Sequence, residues 1–248
     1  MDIRWSAYTL SIHHMDTKKP EFPMRINKYL AVKQYCTRRE ADEIIKKGKV
    51  FINGKLAKLG DKVSETDVVD VKFRAKKYRY FAYHKARGII THSPQGDEKD
   101  IAMVSPIKDV FPIGRLDKDS YGLIILTDDG RITDKLLNPD YAHEKEYRVT
   151  TAVKLRPSFK EHMEKGVDIG GYRTKKCRVE VIGERMFTIV LTEGKKHQIR
   201  RMCAALHNDA IELVRTRIMN IRLGNLPAGG HRAIEGPELT TFLRSLGF

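Results

Sequence analysis

Cysteine is scarce in this sequence: Cys36, Cys177 and Cys203 are the only three, and no two of them form a CxxC pair. That excludes a zinc ribbon and a disulfide framework and fits a reducing cytoplasm. Each of the three reads as a small buried hydrophobe rather than a nucleophile. Long apolar runs are also missing, so no segment is long enough to span a bilayer. Residues 1–15 carry Asp2, Arg4, His13 and His14 and lack the apolar stretch of a signal peptide. There is no Walker loop and no GxGxxG after a strand, which removes nucleotide hydrolysis and Rossmann cofactors. His143-Glu144 opens like a zincin helix, but Tyr147 stands where the second histidine is required. No metal and no cofactor is expected.

What the chain does have is positive charge. Its 248 residues hold 47 Lys and Arg against 32 Asp and Glu, a net +15, and such an excess points to a polyanionic partner. No basic amphipathic helix marks a membrane surface, so nucleic acid is the expected partner. The length allows one large or two ordinary domains with a substantial core.

A helical pattern starts at Arg25, with Ile26 and Leu30 on one face. Thr37-Arg38-Arg39-Glu40 has the spacing of a capping box, and Gly48 is a natural stop for the helix it opens. Val50-Phe51-Ile52 reads as a strand, Asn53-Gly54 as a hairpin turn and residues 68–71 as the returning strand. Arg38 and Arg39 fall at a helix start, where backbone N–H groups also attract phosphate. The expected organisation is a tail or misassigned start over 1–24, a small helix-and-sheet unit over 25–74, a linker over 75–79 and a larger domain over 80–248. In that domain, strands are expected at 80–84, 147–153, 176–182, 187–192 and 213–223, and helices at 131–137, 157–165, 195–206 and 238–246. Strand-rich order without βαβ alternation argues for an α+β fold with a mixed, mainly antiparallel sheet.

The stretch Gly114-Arg115-Leu116-Asp117-Lys118-Asp119-Ser120-Tyr121-Gly122-Leu123 leads into the apolar run 124–126. It reads as a polar loop set on a buried strand, a place where a scaffold can hold and expose a reactive carboxylate. A nuclease-type Mg²⁺ site fails because Asp128 and Asp129 fall a whole strand beyond Asp117. From spacing alone, a solvated surface turn stands equally open.

Resemblance decides between these. Residues 25–30, 37–42 and 50–55 resemble the alpha-L RNA-binding module, which implies contacts with structured RNA. Gly114–Leu123, Glu144-Lys145-Glu146-Tyr147 and Gly194–Met202 resemble, in order, the three signature segments of pseudouridine synthases of the RsuA/RluF type. Residues 143–147, 174–179 and 215–220 are most similar to the RluF subtype, which implies large-subunit ribosomal RNA as substrate. Transfer RNA is the alternative target, and a non-catalytic ribosome-assembly protein is the alternative class. A cytoplasmic monomer is expected. It further implies Asp117 as nucleophile or base, Arg200 as the cation paired with it, and Tyr147 as base platform and C5 proton acceptor. Arg115 would fill the space of a flipped nucleotide, with Arg38, Arg39, Lys85, Lys195 and Gln198 as further RNA contacts. Two positions depart from the family pattern: Ala86 follows Lys85 where proline is common, and His197 precedes Gln198 where arginine is common.

Overall fold

A computed structural model describes residues 21–72 and 76–248. They form two compact units that part between residues 73 and 74.

The first unit runs β1 (Met24–Arg25), α1 (Ile26–Val32), α2 (Arg38–Lys46), β2 (Val50–Ile52), β3 (Lys55–Leu56), β4 (Lys62–Val63) and β5 (Val69–Val71). The capping box forms as the sequence predicts: Glu40 N–H donates to Thr37 Oγ1 at 3.2 Å, and Thr37 N–H to Glu40 Oε2 at 2.8 Å. Ile26, Leu30, Ala41, Ile45, Val50 and Val63 make the core. Two expectations shift. The strand returning directly from Asn53-Gly54 is β3, and β5 pairs along the opposite edge of β2. Met24 is buried and pairs with Val63, so the unit begins before Arg25; residues 1–20 of the expected tail lie outside the described residues.

The second unit contains β6 (Tyr80–Lys85), α3 (Ile101–Val104), β7 (Phe111–Ile113), β8 (Tyr121–Thr127), α4 (Ile132–Leu137), β9 (Lys145–Thr151) and α5 (Phe159–Glu164). It continues with β10 (Arg178–Gly183), β11 (Met186–Leu191), α6 (Gln198–Ala205), β12 (Ala210–Ile218), β13 (Ile221–Arg222), β14 (His231–Ala233) and α7 (Gly236–Ser245). Nine of the described strands make one sheet in the order β10-β11-β9-β12-β8-β6-β14, with β13 on β12 and β7 on β8. Only β12 and β8 run parallel, so the sheet is mixed and mainly antiparallel. β8 is apolar at successive positions because both faces are covered. Leu123 and Ile125 join the cluster under α4 and α7, while Ile124 and Leu126 pack with Ile101 of α3. A third cluster, with Phe159, Met163, Phe187, Ile189, Met202 and Cys203, seats α5 and α6. Burial pushes the Cys203 thiol up to about 12 and Cys177 to about 11, as inert cysteines should be.

The expected linker is not free chain at its described end. Arg79 donates its N–H to Asp128 Oδ1 at 2.8 Å and its guanidinium to the carbonyls of Lys108 and Asp109 at 3.1 Å. Residues 76–79 therefore belong to the second unit.

Candidate active site

The Asp117 loop lies between β7 and β8, at the mouth of a cleft of about 900 Å³. Asp117, Tyr147, Arg115, Lys195, Gln198 and Arg200 all line this cleft, although they come from separate segments. β9 and β12 make one wall, with Tyr147 directly opposite Arg215 in register. Arg38 and Arg39 sit in the first unit, exposed at the start of α2.

The loop is held by its backbone, one carbonyl after another. Arg215 Nη1 donates to Arg115 O at 3.3 Å, and Thr91 Oγ1 to Leu116 O at 2.9 Å. Lys85 Nζ donates to Lys118 O at 3.5 Å, and Arg200 Nη2 to Asp119 O at 3.4 Å. Leu116 N–H returns a bond to Thr91 Oγ1 at 3.0 Å. With its main chain fixed, the loop leaves the Asp117 side chain half-exposed in the cleft. Gly122 makes this possible. Its φ of +107° suits glycine, and a Cβ there would meet Arg215 O at 2.4 Å. The glycine lets β8 and β12 approach closely enough to bring Arg215 under the loop.

Three expected roles change. Lys85 cannot touch RNA: it is 0% exposed, and its ammonium donates to the carbonyls of Ala86, Ile89 and Lys118. Burial pushes its pKa down to about 8, while the Asp117 charge acts in the other direction. Gln198 is likewise an internal brace, 4% exposed, donating to Glu193 Oε1 at 2.7 Å and accepting from Lys195 N–H at 2.8 Å. Arg200 makes no ion pair with Asp117. Its guanidinium donates to Ala210 O at 2.5 Å and reaches Asp119 O and Ser120 Oγ, so it acts on the loop rather than on the carboxylate. The group within ion-pair distance of Asp117 is His197, with Nε2 3.6 Å from Oδ1. His197 reaches it from a left-handed residue (φ +53°) just before α6, which is why that helix starts at Gln198 and not at Lys195.

Lys195 remains exposed, its ammonium 4.5 Å from the Tyr172 ring centroid, and Arg115 is exposed at the loop. Thr91, Lys145 and Arg215 join the site without an expected role, although Lys145 and Arg215 fall in segments that carry the family resemblance. The available signal is Arg215, a charged residue directly after the apolar pair Leu213-Val214 of β12. Among the described residues no cluster of His, Cys, Asp and Glu could hold a metal ion, and no helix is long and apolar enough to cross a membrane.

Residues 79–205 match the RNA pseudouridylate synthase family, and residues 24–69 match the S4 domain. The chain belongs to the RNA pseudouridylate synthase family. The synthase is 42% identical over 227 residues to the dual-specificity RNA pseudouridine synthase RluF of Escherichia coli strain K12, covering 89% of this chain and 78% of that one. It is 33% identical over 228 residues to the ribosomal small subunit pseudouridine synthase A of Vibrio cholerae, covering 88% of this chain and 99% of the relative. A crystal structure of a pseudouridylate synthase superposes with a TM-score of 0.65 at 26% identity, covering 90% of this chain and 99% of the other. The RNA-binding first unit and the mixed-sheet second unit agree with this family.

Proposed function

We propose that the synthase isomerises one uridine of large-subunit ribosomal RNA in the cytoplasm, with Asp117 as the group that acts on the sugar. The observation that carries this reading is the Asp117 loop itself, pinned through the carbonyls of residues 115, 116, 118 and 119 while the Asp117 carboxylate stays reachable in the cleft. Such pre-set geometry is what a reaction needs when it has no redox step and no group donor. The choice of target is supported by the greater similarity to RluF and by the 143–147 segment that resembles that subtype.

A uridine in a stem must leave its stack to reach the cleft, and Arg115, exposed on the loop, fills the vacancy in this reading. Asp117 then acts at the sugar, as nucleophile at C1′ or as base at C2′, and the N1–C1′ bond breaks with its electron pair on N1. The detached uracil turns and C5 bonds to C1′ as the Asp117–C1′ ester bond breaks, or, on the base route, as Asp117 returns its proton to C2′; N1 takes a proton from solvent. Tyr147 offers its ring face to the base and its hydroxyl oxygen to the C5 proton, passing its own proton to solvent. Arg200 is a positioning residue in this scheme, since it reaches Asp117 only through the loop backbone. His197 supplies the nearby imidazole where the resemblance implied an arginine contact.

Mapping pseudouridines in cellular RNA with and without the gene tests the target. The expected result is the loss of a modification in large-subunit ribosomal RNA. Loss confined to small-subunit RNA or transfer RNA overturns the assignment.

A further inference from the structure

Lys145 and Arg215 share one cleft without an acidic partner. Lys145 opens β9, two residues before Tyr147 and on the same face of that strand. Its ammonium makes one long hydrogen bond, 3.5 Å to His143 O. Arg215 is 3% exposed; Nε donates to Leu123 O at 2.6 Å and Nη1 to Arg115 O, but buried Nη2 has no partner. Among the described residues no carboxylate lies within ion-pair distance of either side chain. Both residues line the cleft. Placing two cations together, one buried and one half-buried, with no carboxylate at ion-pair distance is unfavourable in the free protein. A bound anion would reverse that.

The reaction produces one. When the N1–C1′ bond breaks with its electron pair on N1, the uracil becomes an anion whose charge spreads onto O2 and O4. We propose that Lys145, with Arg215 beside it, binds a carbonyl oxygen of the detached uracil anion and so stabilises the leaving group. This rests on the reading that Asp117 acts at the sugar. Burial and the Arg215 charge lower the Lys145 pKa to about 8, so most molecules keep the ammonium at neutral pH. A nucleic-acid phosphate is the competing anion, but Lys145 stands in line with Tyr147, the residue assigned to the base.

The test uses the full chain and two variants, Lys145→Met and Lys145→Arg. The probes are 5-nitrouracil, whose ring is an anion at neutral pH, neutral uracil and inorganic phosphate. Wild-type protein is expected to bind 5-nitrouracil at millimolar concentration, more tightly than uracil. Lys145→Met should lose at least about tenfold of that preference, and Lys145→Arg should keep it. On total RNA from cells lacking the gene, Lys145→Met should be slower by on the order of 10²-fold in a single turnover, as for loss of one charge-stabilising donor. Its melting temperature should not fall, because the apolar side chain relieves the buried repulsion; a structural lysine would lower it. No binding of 5-nitrouracil, equal loss of phosphate binding, or full activity of Lys145→Met overturns the inference. Full activity of Lys145→Met together with an inactive Asp117→Asn leaves the Asp117 reading standing, whereas an active Asp117→Asn removes that reading and not the measured anion site.

Discussion

The two units use the same residue types in opposite ways. In the S4 unit, Arg38, Arg39, Lys47 and Lys49 are largely exposed and make no ion pair among the described residues. Lys46 pairs only with its helix neighbour Glu43, where solvent makes the bond weak. In the catalytic unit, Lys85, Arg200 and Arg215 turn inward and direct their donors to main-chain carbonyls of the Asp117 loop. A free surface cation can follow a phosphate backbone. A cation committed to carbonyls holds a loop still. Positive charge in a sequence therefore identifies the partner class of the whole molecule, but it does not say which individual side chains meet that partner.

The largest effect that would break this contrast concerns the carboxylate on the loop those donors hold. Asp117→Asn keeps the shape and removes the charge, so pseudouridine formation should fall below detection while the melting temperature and RNA affinity stay near wild type. Turnover within tenfold of wild type would take Asp117 out of the chemistry. Next is Tyr147→Phe, expected to bind RNA normally and to lose on the order of 10²–10⁴-fold in release of tritium from C5-labelled RNA, the usual contribution of a general base. Normal release would reduce Tyr147 to a stacking surface.

Arg200→Gln sharpens the distinction between positioning and gripping. Misplacing a reacting group by about 1 Å can cost on the order of 10²-fold, so kcat should fall by about that much with KM for RNA little changed. A rise in KM alone would make Arg200 an RNA contact. The smallest effect belongs to the other unit. Arg38→Gln combined with Arg39→Gln should flatten the log–log salt dependence of RNA binding by about 0.7–0.9 for each phosphate no longer neutralised, with activity at saturating RNA unchanged. An unaltered slope would show that this helix start does not meet phosphate.

What can be read in the sequence is local. The capping box at Thr37, the Asn53-Gly54 turn and the β8 run each declare themselves within a few residues, through side-chain chemistry or period. The ion-pair partner of Asp117 and the work of Lys85 and Arg215 do not. Those depend on groups presented by residues distant in the chain: the His197 imidazole for Asp117, the Lys118 carbonyl for Lys85 and the Arg115 carbonyl for Arg215. No periodicity encodes such a meeting. β7 and β14 are hidden for a different reason. Each has three residues, and β7 carries Pro112, which the sheet accepts because β7 lies outside its main path and pairs only with β8. Lys85 and Gln198 are legible as family positions but not as buried ones, since a charged or amide side chain is exposed far more often than not.

Lys85 is the most direct test of the central contrast, because it is fully buried yet has the residue type of an RNA contact. Lys85→Met removes the donor shared by the carbonyls of Ala86, Ile89 and Lys118, and each buried acceptor left alone costs about 1–3 kcal/mol. The measurement is RNA affinity against salt, taken below the variant's melting temperature, alongside thermal unfolding. The account predicts a clear drop in melting temperature and a salt slope equal to that of wild type. An unchanged melting temperature with a flatter slope would contradict it, and would make Lys85 a phosphate contact after all.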